Sequence, residues 1–361
     1  MYFDFAVLEN LLFAECVSLS LGNQHSMILD RGGSVWSTPV TLHGGVAASR
    51  NAAKQFIAEY PGEATAIAAG TDYSIILKKD DSVWTMGRNA RGQLGDGSRT
   101  TKEHFSSVTK IPGAKAVVAG RYHSLVLTED GCVWGTGWNK YGQLGNTLTS
   151  YTTRFRQVIL GGATASAAGE SHSIVVKQDG SVWASGRNNK GQLGDGTKVD
   201  KSGFVKVFNK GVLNAAAGSF HTMVIKHDGS VWATGWNENG QLGDATTTDR
   251  ANYVKVIPKG AEAVATGNRH SMVLKQDGSV WATGHNKYGQ LGDGTTMDSD
   301  FFVQAISFDA ATVAAGGSHS MVLKQDGSIW ATGSNEFGQF GDNSAKSENM
   351  FVRIYPLRNG T

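Results

Sequence analysis

Histidine recurs on a fixed schedule along the chain, and a ring of imidazoles could bind a metal ion or carry out acid–base catalysis. The scheduled positions, interrupted once by a tyrosine, are His25, Tyr73, His123, His172, His221, His270 and His319. A metal site would need a second ligand type at a constant offset from each imidazole, and none is present. We therefore predict that these histidines serve the fold by hydrogen bonding to the neighbouring backbone, and that the chain holds no metal.

Amides and carboxylates follow the same schedule within a glycine-rich loop. The glutamines are Gln93, Gln143, Gln192, Gln241, Gln290 and Gln339, and the aspartates are Asp96, Asp195, Asp244, Asp293 and Asp342. One carboxylate per loop is better explained by turn capping than by catalysis, and buried amides satisfy backbone groups. Gly-Gln-Leu-Gly is not a phosphate loop, because no helix with Lys-Ser/Thr follows it. No catalytic residue or cofactor is predicted; an enzyme would have to use Asp72, Tyr73 or His285.

The repeating unit supplies the elements that position these residues. Seven glycines open the copies near residues 22, 70, 120, 169, 218, 267 and 316, at spacings of 48, 50, 49, 49, 49 and 49. In the copy at Gly267, two β-rich runs flank Asp277-Gly278, which is a strong hairpin signal. A run of small residues precedes the glycine, and a fourth β-rich run follows the loop. Four strands in about 50 residues make one propeller blade.

Side-chain size predicts where each strand lies. Small residues before each opening glycine suit the innermost strand, where blades converge, and the scheduled tryptophans suit the wider space between blades. We predict an all-β fold, a seven-bladed β-propeller of four-stranded antiparallel blades, forming a single domain over residues 1–361. The last strand is predicted over residues 349–355, and its blade is left open.

The first copy departs from the pattern after Trp36. The segment 37–62 lacks the glycine-rich loop, and alanines with Phe56, Ile57 and Tyr60 at helical spacing predict a short helix over residues 47–60. This helical insertion is either the cap of a degenerate repeat or a partner-docking element. Residues 1–14 fit a helix or a strand.

The repeated phrase resembles a known family. G-x-x-H-S-x-x-L-x-x-D-G-x-V-W-x-x-G-x-N-x-x-G-Q-L-G-x-G, over residues 22–355, resembles the regulator-of-chromosome-condensation repeat. The resemblance implies a seven-bladed propeller that acts as a scaffold for protein interaction. The resemblance also implies an alternative function, guanine nucleotide exchange on a small GTPase. The founding member of the family carries an inserted β-wedge for this activity, and the spacings leave no room for such an insertion in copies two to six. A photoreceptor-type homodimer is a further alternative, but its Gly-Trp-Arg-His-Thr signature is absent.

The composition of the chain limits the partners and the cellular location that we expect. The net charge of +2 supplies no overall basic field, so nucleic acid is not an expected partner. The two cysteines lie in different copies and form no disulfide framework. The start lacks a basic signal-peptide region, and no uninterrupted apolar run is long enough to span a membrane. We expect a cytoplasmic or nuclear protein without a membrane segment.

Residues that differ between copies are the candidates for function. In a four-stranded meander the first and third connections share one face, which displays eight Lys or Arg and four Asp or Glu at the variable positions. The sequence predicts that a protein partner, its identity open, binds this face; the alternative is an ordinary solvated rim. The predicted binding residues are Arg88, Arg91, Arg121, Tyr122, Trp138, Lys140, Tyr141, Arg187, Lys190, Phe220, Trp236, Arg269, His285, Lys287 and Tyr288.

Overall fold

The chain folds as a ring of seven antiparallel blades. The computed structural model describes residues 16–38, 55–146 and 150–355, and each of its seven sheets has four strands paired in chain order. The strands of the described residues are β1 (Cys16–Leu21), β2 (Ser26–Asp30), β3 (Val35–Ser37), β4 (Ile57–Tyr60), β5 (Ala64–Ala69), β6 (Tyr73–Lys78), β7 (Ser82–Gly87), β8 (Lys102–Lys110), β9 (Ala114–Ala119), β10 (His123–Thr128), β11 (Cys132–Trp138), β12 (Tyr151–Leu160), β13 (Ala163–Ala168), β14 (His172–Lys177), β15 (Val182–Gly186), β16 (Lys201–Phe208), β17 (Val212–Ala217), β18 (His221–Lys226), β19 (Val231–Gly235), β20 (Arg250–Ile257), β21 (Ala261–Thr266), β22 (His270–Lys275), β23 (Val280–Gly284), β24 (Ser299–Ile306), β25 (Ala310–Ala315), β26 (His319–Lys324), β27 (Ile329–Gly333) and β28 (Glu348–Tyr355).

Small side chains do line the axis, as the sequence predicts. The first strand of every blade borders an axial channel of about 360 Å³, whose lining is dominated by alanine. The hydrophobic core lies between blades: Ile75 and Leu94 of the second blade pack with Val117 and Val126 of the third. Each blade buries side chains against both of its neighbours, and these shared cores hold the ring together.

The ring closes between the first and seventh blades, and each of these blades is built from four strands that are consecutive in the chain. The final strand β28 pairs with β27 in the seventh blade, which answers the question left open by the sequence. Contacts between the seventh and first blades then close the ring. The backbone N–H of Gly317 donates to the carbonyl of Gly22 at 3.0 Å, and Gln55 forms an isolated β-bridge with Asp342.

The predicted helix over residues 47–60 is wrong where the structure describes it. Residues 57–60 form the strand β4 against β3, and the described residues contain no helix; residues 47–54 lie outside them, as does the segment 1–14. Phe56 packs so closely over Gly341 that a Cβ there would lie 2.3 Å from the ring. The same position is aromatic in every copy: Phe56, Phe105, Phe155, Phe204, Tyr253, Phe302 and Phe351. The alanines in this segment imitate a helical period and conceal this schedule.

Replacing Phe56 with alanine should destabilise the closed ring by about 2 kcal/mol, because a half-buried aromatic contact at the closure is removed. Urea unfolding followed by tryptophan fluorescence measures the change. Phe301→Ala is the control, since that side chain is 56% exposed, and a change within about 0.5 kcal/mol is expected for it. Equal effects of the two substitutions would contradict the role assigned to Phe56.

Among the described residues, no helix is long and apolar enough to cross a membrane.

Candidate partner-binding face

The scheduled histidines are buried links between neighbouring blades. In the fourth blade, His172 Nε2 lies 3.0 Å from the hydroxyl of Thr222 in the fifth, and that hydroxyl donates to the carbonyl of Gln192 at 2.8 Å. The hydroxyl proton is therefore committed, so Nε2 must be the donor. The predicted fold role is confirmed, but the predicted backbone partner is wrong: the partner is the Ser or Thr hydroxyl of the next blade.

Burial keeps these imidazoles neutral. Loss of hydration lowers the pKa of His25, His123 and His221 to about 4. It lowers the pKa of His172 and His270 to about 3, where neighbouring histidines add to the effect. No group of three or more His, Cys, Asp or Glu side chains in the described part of the chain is placed to hold a metal ion.

The glycine-rich loops are held by their own amides and carboxylates. In the second blade, Asn89 Oδ1 accepts from the backbone of Leu94 at 3.1 Å and Gln93 Oε1 from the backbone of Arg91 at 3.0 Å. Asp96 Oδ1 accepts the backbone N–H of Ser98 at 2.8 Å, so the predicted turn capping is confirmed. These hydrogen bonds fix the backbone of the loops that carry the variable residues.

The two variable sets lie side by side, as the meander geometry predicts. In the third blade the backbone N–H of Trp138 donates to the carbonyl of Tyr122 at 2.8 Å, and in the fifth blade Trp236 donates to Phe220 at 2.8 Å. Every described blade from the second to the seventh has the equivalent bond. The first and third connections of a blade therefore present one shared surface.

Aromatic rings and cations on this surface form a continuous contact chain. Arg91 lies over Trp138 at 5.2 Å, and Arg187 bridges Tyr141 at 5.0 Å and Phe220 at 5.2 Å. At the far end Arg269 lies over Trp236 at 4.8 Å. We call this chain the cation–aromatic arc, which consists of Arg91, Arg121, Tyr122, Trp138, Lys140, Tyr141, Arg187, Lys190, Phe220, Trp236 and Arg269.

The arc includes eleven of the fifteen predicted binding residues. His285, Lys287 and Tyr288 form a smaller cluster in the sixth blade, with the His285 and Tyr288 rings 6.3 Å apart. Burial lowers the pKa of His285; Asp298 opposes this shift, whereas the charges of Arg269 and Lys287 add to it. Arg88 stands apart from the rings and pairs with Asp72 at 3.4 Å.

The side chains of the arc differ in how far they are exposed, and this separates residues that a partner could touch from residues that lie beneath them. Arg91, Lys140 and Arg269 are exposed, whereas Trp236 is only 7% exposed. Trp236 is thus mainly a support on which Arg269 rests. The exposed guanidinium and ammonium groups, with the half-buried rings between them, form the surface that a partner would touch.

The mouth of the axial channel opens in the same face, and polar side chains of different blades pair there. Arg121 pairs with Glu170 at 2.8 Å; burial opposes the charge of Arg121, but Glu170 outweighs it and raises the guanidinium pKa. Asn268 donates to Asn23 at 2.8 Å. The mouth therefore contributes a polar floor beside the arc, in which an ion pair and an amide pair link the blades.

Sequence reasoning missed the carboxylates that anchor the outer ends of these loops. Asp200, Asp249 and Asp298 each accept a backbone N–H from the loop asparagine of their own blade, at 2.7, 3.0 and 2.8 Å. Their spacing of 49 residues was the available signal. Asp249 also pairs with Lys190 at 3.4 Å, so it holds one arc cation in place.

Fold and face together define a closed seven-bladed propeller whose copied residues build the ring and whose loops carry the variation. The sequence pattern of the RCC1-like domain matches residues 6–260. The pattern of the regulator of chromosome condensation (RCC1) repeat matches residues 262–290 and 310–339, and a second pattern of that repeat matches residues 277–323. The chain belongs to the RCC1-like family.

Solved structures share the fold at low sequence identity. Human WBSCR16 is 21% identical over 86% of this chain and 86% of its own, with a TM-score of 0.73. Prp20p from Saccharomyces cerevisiae is 21% identical over 85% of this chain and 82% of its own, with a TM-score of 0.72. No curated protein sequence matches the chain.

Proposed function

We propose that this protein is a non-catalytic scaffold that binds a protein partner through the cation–aromatic arc. The observation that carries the proposal is the unbroken contact chain from Arg91 in the second blade to Arg269 in the sixth. Arginine, tyrosine and tryptophan dominate the binding energy of protein interfaces. Cations held over rings are already ordered, so less conformational entropy is lost on binding.

The symmetry of the propeller supports the same conclusion. Residues repeated around the ring are occupied in hydrogen bonds that hold blades or loops together, as His172 and Asn89 illustrate. The arc residues break this symmetry, because they differ from copy to copy. Prp20p, which shares the fold, was described together with its binding to Gsp1p and histones; it supports a protein partner for a propeller of this kind.

Reversing three arc charges should abolish partner binding. The variant Arg91→Glu/Arg187→Glu/Arg269→Glu replaces three of the arc cations, which rest on rings at 4.8–5.2 Å, with carboxylates. Like charges placed against a complementary partner cost several kcal/mol. We expect an affinity pull-down with the purified variant to lose the partner that the wild-type protein retains.

A control variant makes the same charge change on the opposite face. Lys177, Lys275 and Lys324 also lie over tryptophans, at 4.5, 4.0 and 4.6 Å, but they stand beside the hairpin turns between second and third strands. Lys177→Glu/Lys275→Glu/Lys324→Glu should retain the partner. Identical retained sets for wild type and both variants would refute the choice of face and favour an ordinary solvated rim.

Guanine nucleotide exchange is the alternative activity that belongs to the same family. The described connections of blades two to seven contain no long insertion that could reach a nucleotide, and most of the segment 37–62 lies outside the described residues. If the retained partner is a small GTPase, the release of a fluorescent guanine nucleotide from it distinguishes the two functions. A scaffold leaves the release rate unchanged, whereas an exchange factor accelerates it.

A further inference from the structure

Four cations of the arc have a ring beneath them and, in the part of the chain that the structure describes, no carboxylate paired with them. Arg121 and Lys190 are paired with Glu170 and Asp249. By contrast, no ion pair with a carboxylate of the described residues holds any of the remaining four cations, which are Arg91, Lys140, Arg187 and Arg269. The arc therefore presents unneutralised positive charge on a protein whose net charge is only +2.

Several buried hydrogen-bond donors beneath the arc have no partner among the described residues. In the sixth blade, Gln290 Nε2 donates to His285 Nδ1 at 2.8 Å, and in the seventh Gln339 Nε2 donates to Ser334 at 3.4 Å. In each case the acceptor lies five residues before the glutamine. In blades three to five that position holds Trp138, Arg187 or Trp236, and none of these side chains is an acceptor. The buried donors left without a partner are Gln143 Nε2, Gln192 Nε2, Gln241 Nε2, Trp236 Nε1 and Arg121 Nε.

Unpartnered acceptors beneath the same face balance these donors. They are Asn239 Oδ1 and the Nδ1 atoms of His123, His172, His221, His270 and His319, whose Nε2 atoms donate; Ser171 Oγ can either donate or accept. The layer beneath the arc therefore favours neither sign of charge, and the four free cations favour an anionic occupant.

We propose that the arc binds an acidic polypeptide segment whose Asp and Glu carboxylates pair with the four free cations, while apolar side chains pack between the rings. This inference rests on the proposed scaffold function and specifies the chemistry of its partner. Charge complementarity selects the acidic residues, and the half-buried rings of Tyr122, Trp138, Tyr141 and Phe220 select the apolar ones.

The contact chain sets the reach of the segment. Three consecutive contacts join Arg91 to Arg187 and three more join Arg187 to Arg269, so neither pair is more than about 16 Å apart. An extended chain rises about 3.3 Å per residue, so 16 Å corresponds to roughly five residues. A segment of about ten residues, with acidic positions at most about five apart, would meet all three arginines.

Single-stranded nucleic acid is the competing anion, and the ring geometry disfavours it. Bases bind such proteins by stacking on open aromatic faces. Here Arg91 lies over Trp138 and Arg187 over Tyr141, and the rings meet edge to face at 76–90° instead of forming a stacking platform.

Selection from a random twelve-residue peptide display library tests the proposal without knowledge of the natural partner. Wild-type protein and the charge-reversed arc variant are used as parallel baits. We expect wild type alone to enrich peptides that combine Asp or Glu with Phe, Trp or Leu. Arc-dependent peptides without acidic residues, or no arc-dependent enrichment, would overturn the inference.

Matched substitutions then assign the charges. By fluorescence anisotropy, the best labelled peptide should bind Arg187→Gln at least about tenfold more weakly than wild type, since one charged pair at an interface contributes more than 1.4 kcal/mol. Lys177→Gln, in the same blade and also over a tryptophan at 4.5 Å, should bind like wild type. Replacing the peptide's acidic residues with Asn and Gln should reproduce the loss.

The outcomes separate this inference from the proposed function. If the charge-reversed variant loses the partner in the pull-down but the peptides are not acidic, the face is right and the partner chemistry is wrong. If both pull-down variants retain the partner, the scaffold face itself is refuted. A twelve-nucleotide single strand that binds wild type more tightly than the best peptide would assign the arc to nucleic acid instead.

Discussion

Acidification from pH 7 to pH 4.5 is expected to unfold this propeller cooperatively, and the buried histidines are the cause. Six imidazoles are at most 1% exposed, namely His25, His123, His172, His221, His270 and His319. Burial lowers their folded-state pKa values to between about 3 and about 4. An imidazole in an unfolded chain has a pKa near 6.5.

The sign of the effect follows from which state binds the protons. Above about pH 7 both states hold neutral imidazoles, and the histidines make no difference to stability. Between pH 6.5 and pH 4 the unfolded chain protonates them and the folded chain does not, so the free energy of unfolding falls with pH. At pH 5 each histidine lowers it by about 2 kcal/mol, and six together lower it by about 12 kcal/mol. That loss is comparable to the whole stability of a typical domain.

Carboxylates act in the same direction but at lower pH. Hydrogen bonds from Lys110 and Ser82 hold the pKa of Asp80 well below its ordinary range, and Ser181 and Ser230 lower those of Asp179 and Asp228. Stabilisation by these groups is present above the unfolded carboxyl pKa near 4 and disappears below it. The range from pH 6.5 to pH 4.5 therefore reports mainly on the histidines.

Urea unfolding at closely spaced pH values measures the proton uptake. We expect the free energy of unfolding to fall with a slope approaching six protons between pH 6 and pH 5. His172→Gln should reduce the slope by about one proton, and Phe301→Ala, a change without a titratable group at a position 56% exposed, should leave it unchanged. A flat stability profile from pH 7 to pH 4.5 would contradict the buried neutral state.

The chain itself contains one natural replacement for the histidine link. In the second blade, Tyr73 fills the scheduled position and its hydroxyl donates to the carbonyl of His123 at 2.6 Å. Burial raises the pKa of this phenol far above its ordinary value of 10.0. A hydrogen bond between blades is thus kept without a group that titrates near neutral pH.

Repetition made most of the fold predictable from sequence. The same hairpin signal and the same run of small residues for the inner strand recur along the chain. A chance pattern in one copy is therefore recognised because the other copies lack it. The prediction of a helix over residues 47–60 depended on the first copy alone, in which spaced alanines imitate a helical period. Comparing Phe56 with the aromatic residues of the other copies would have placed β4 correctly.

The candidate face was predictable as a surface but not as a contact chain. Meander geometry alone places Tyr122 and Trp138 on one side of the ring, and the bond between their backbones agrees with it. The sequence does not show that Arg187 rests between rings of two other blades, because such a contact depends on rotamers of residues 33 to 46 positions apart. The histidine partner was missed for the same reason, since Thr222 is 50 residues from His172.

Six of the seven opening glycines should tolerate no side chain, because two blades meet over each of them; Gly70, covered by its own Tyr73, is the exception. A Cβ added at Gly218 would lie 2.2 Å from Cε1 of His221 and 2.5 Å from the carbonyl oxygen of Gly267 in the next blade. Neither contact can move away from an added methyl group. The imidazole of His221 is fixed by its hydrogen bond to Ser271 at 2.9 Å, and the carbonyl oxygen is part of the backbone at Gly267, which opens the next blade. Gly218→Ala is therefore expected to destabilise the protein by about 3 kcal/mol or more.

Thermal unfolding of paired variants tests this prediction and locates the clash. Gly203→Ala is the control, since a Cβ at that strand position meets nothing within 4 Å, and it should change stability by less than about 0.5 kcal/mol. Gly218→Ala/His221→Ala removes the contact with the imidazole but leaves the one with Gly267, so it should not recover even the stability of His221→Ala alone. Full recovery would mean that the blades can separate to admit a methyl group, and the tight backbone contact between them would then not be what holds the inner ring together.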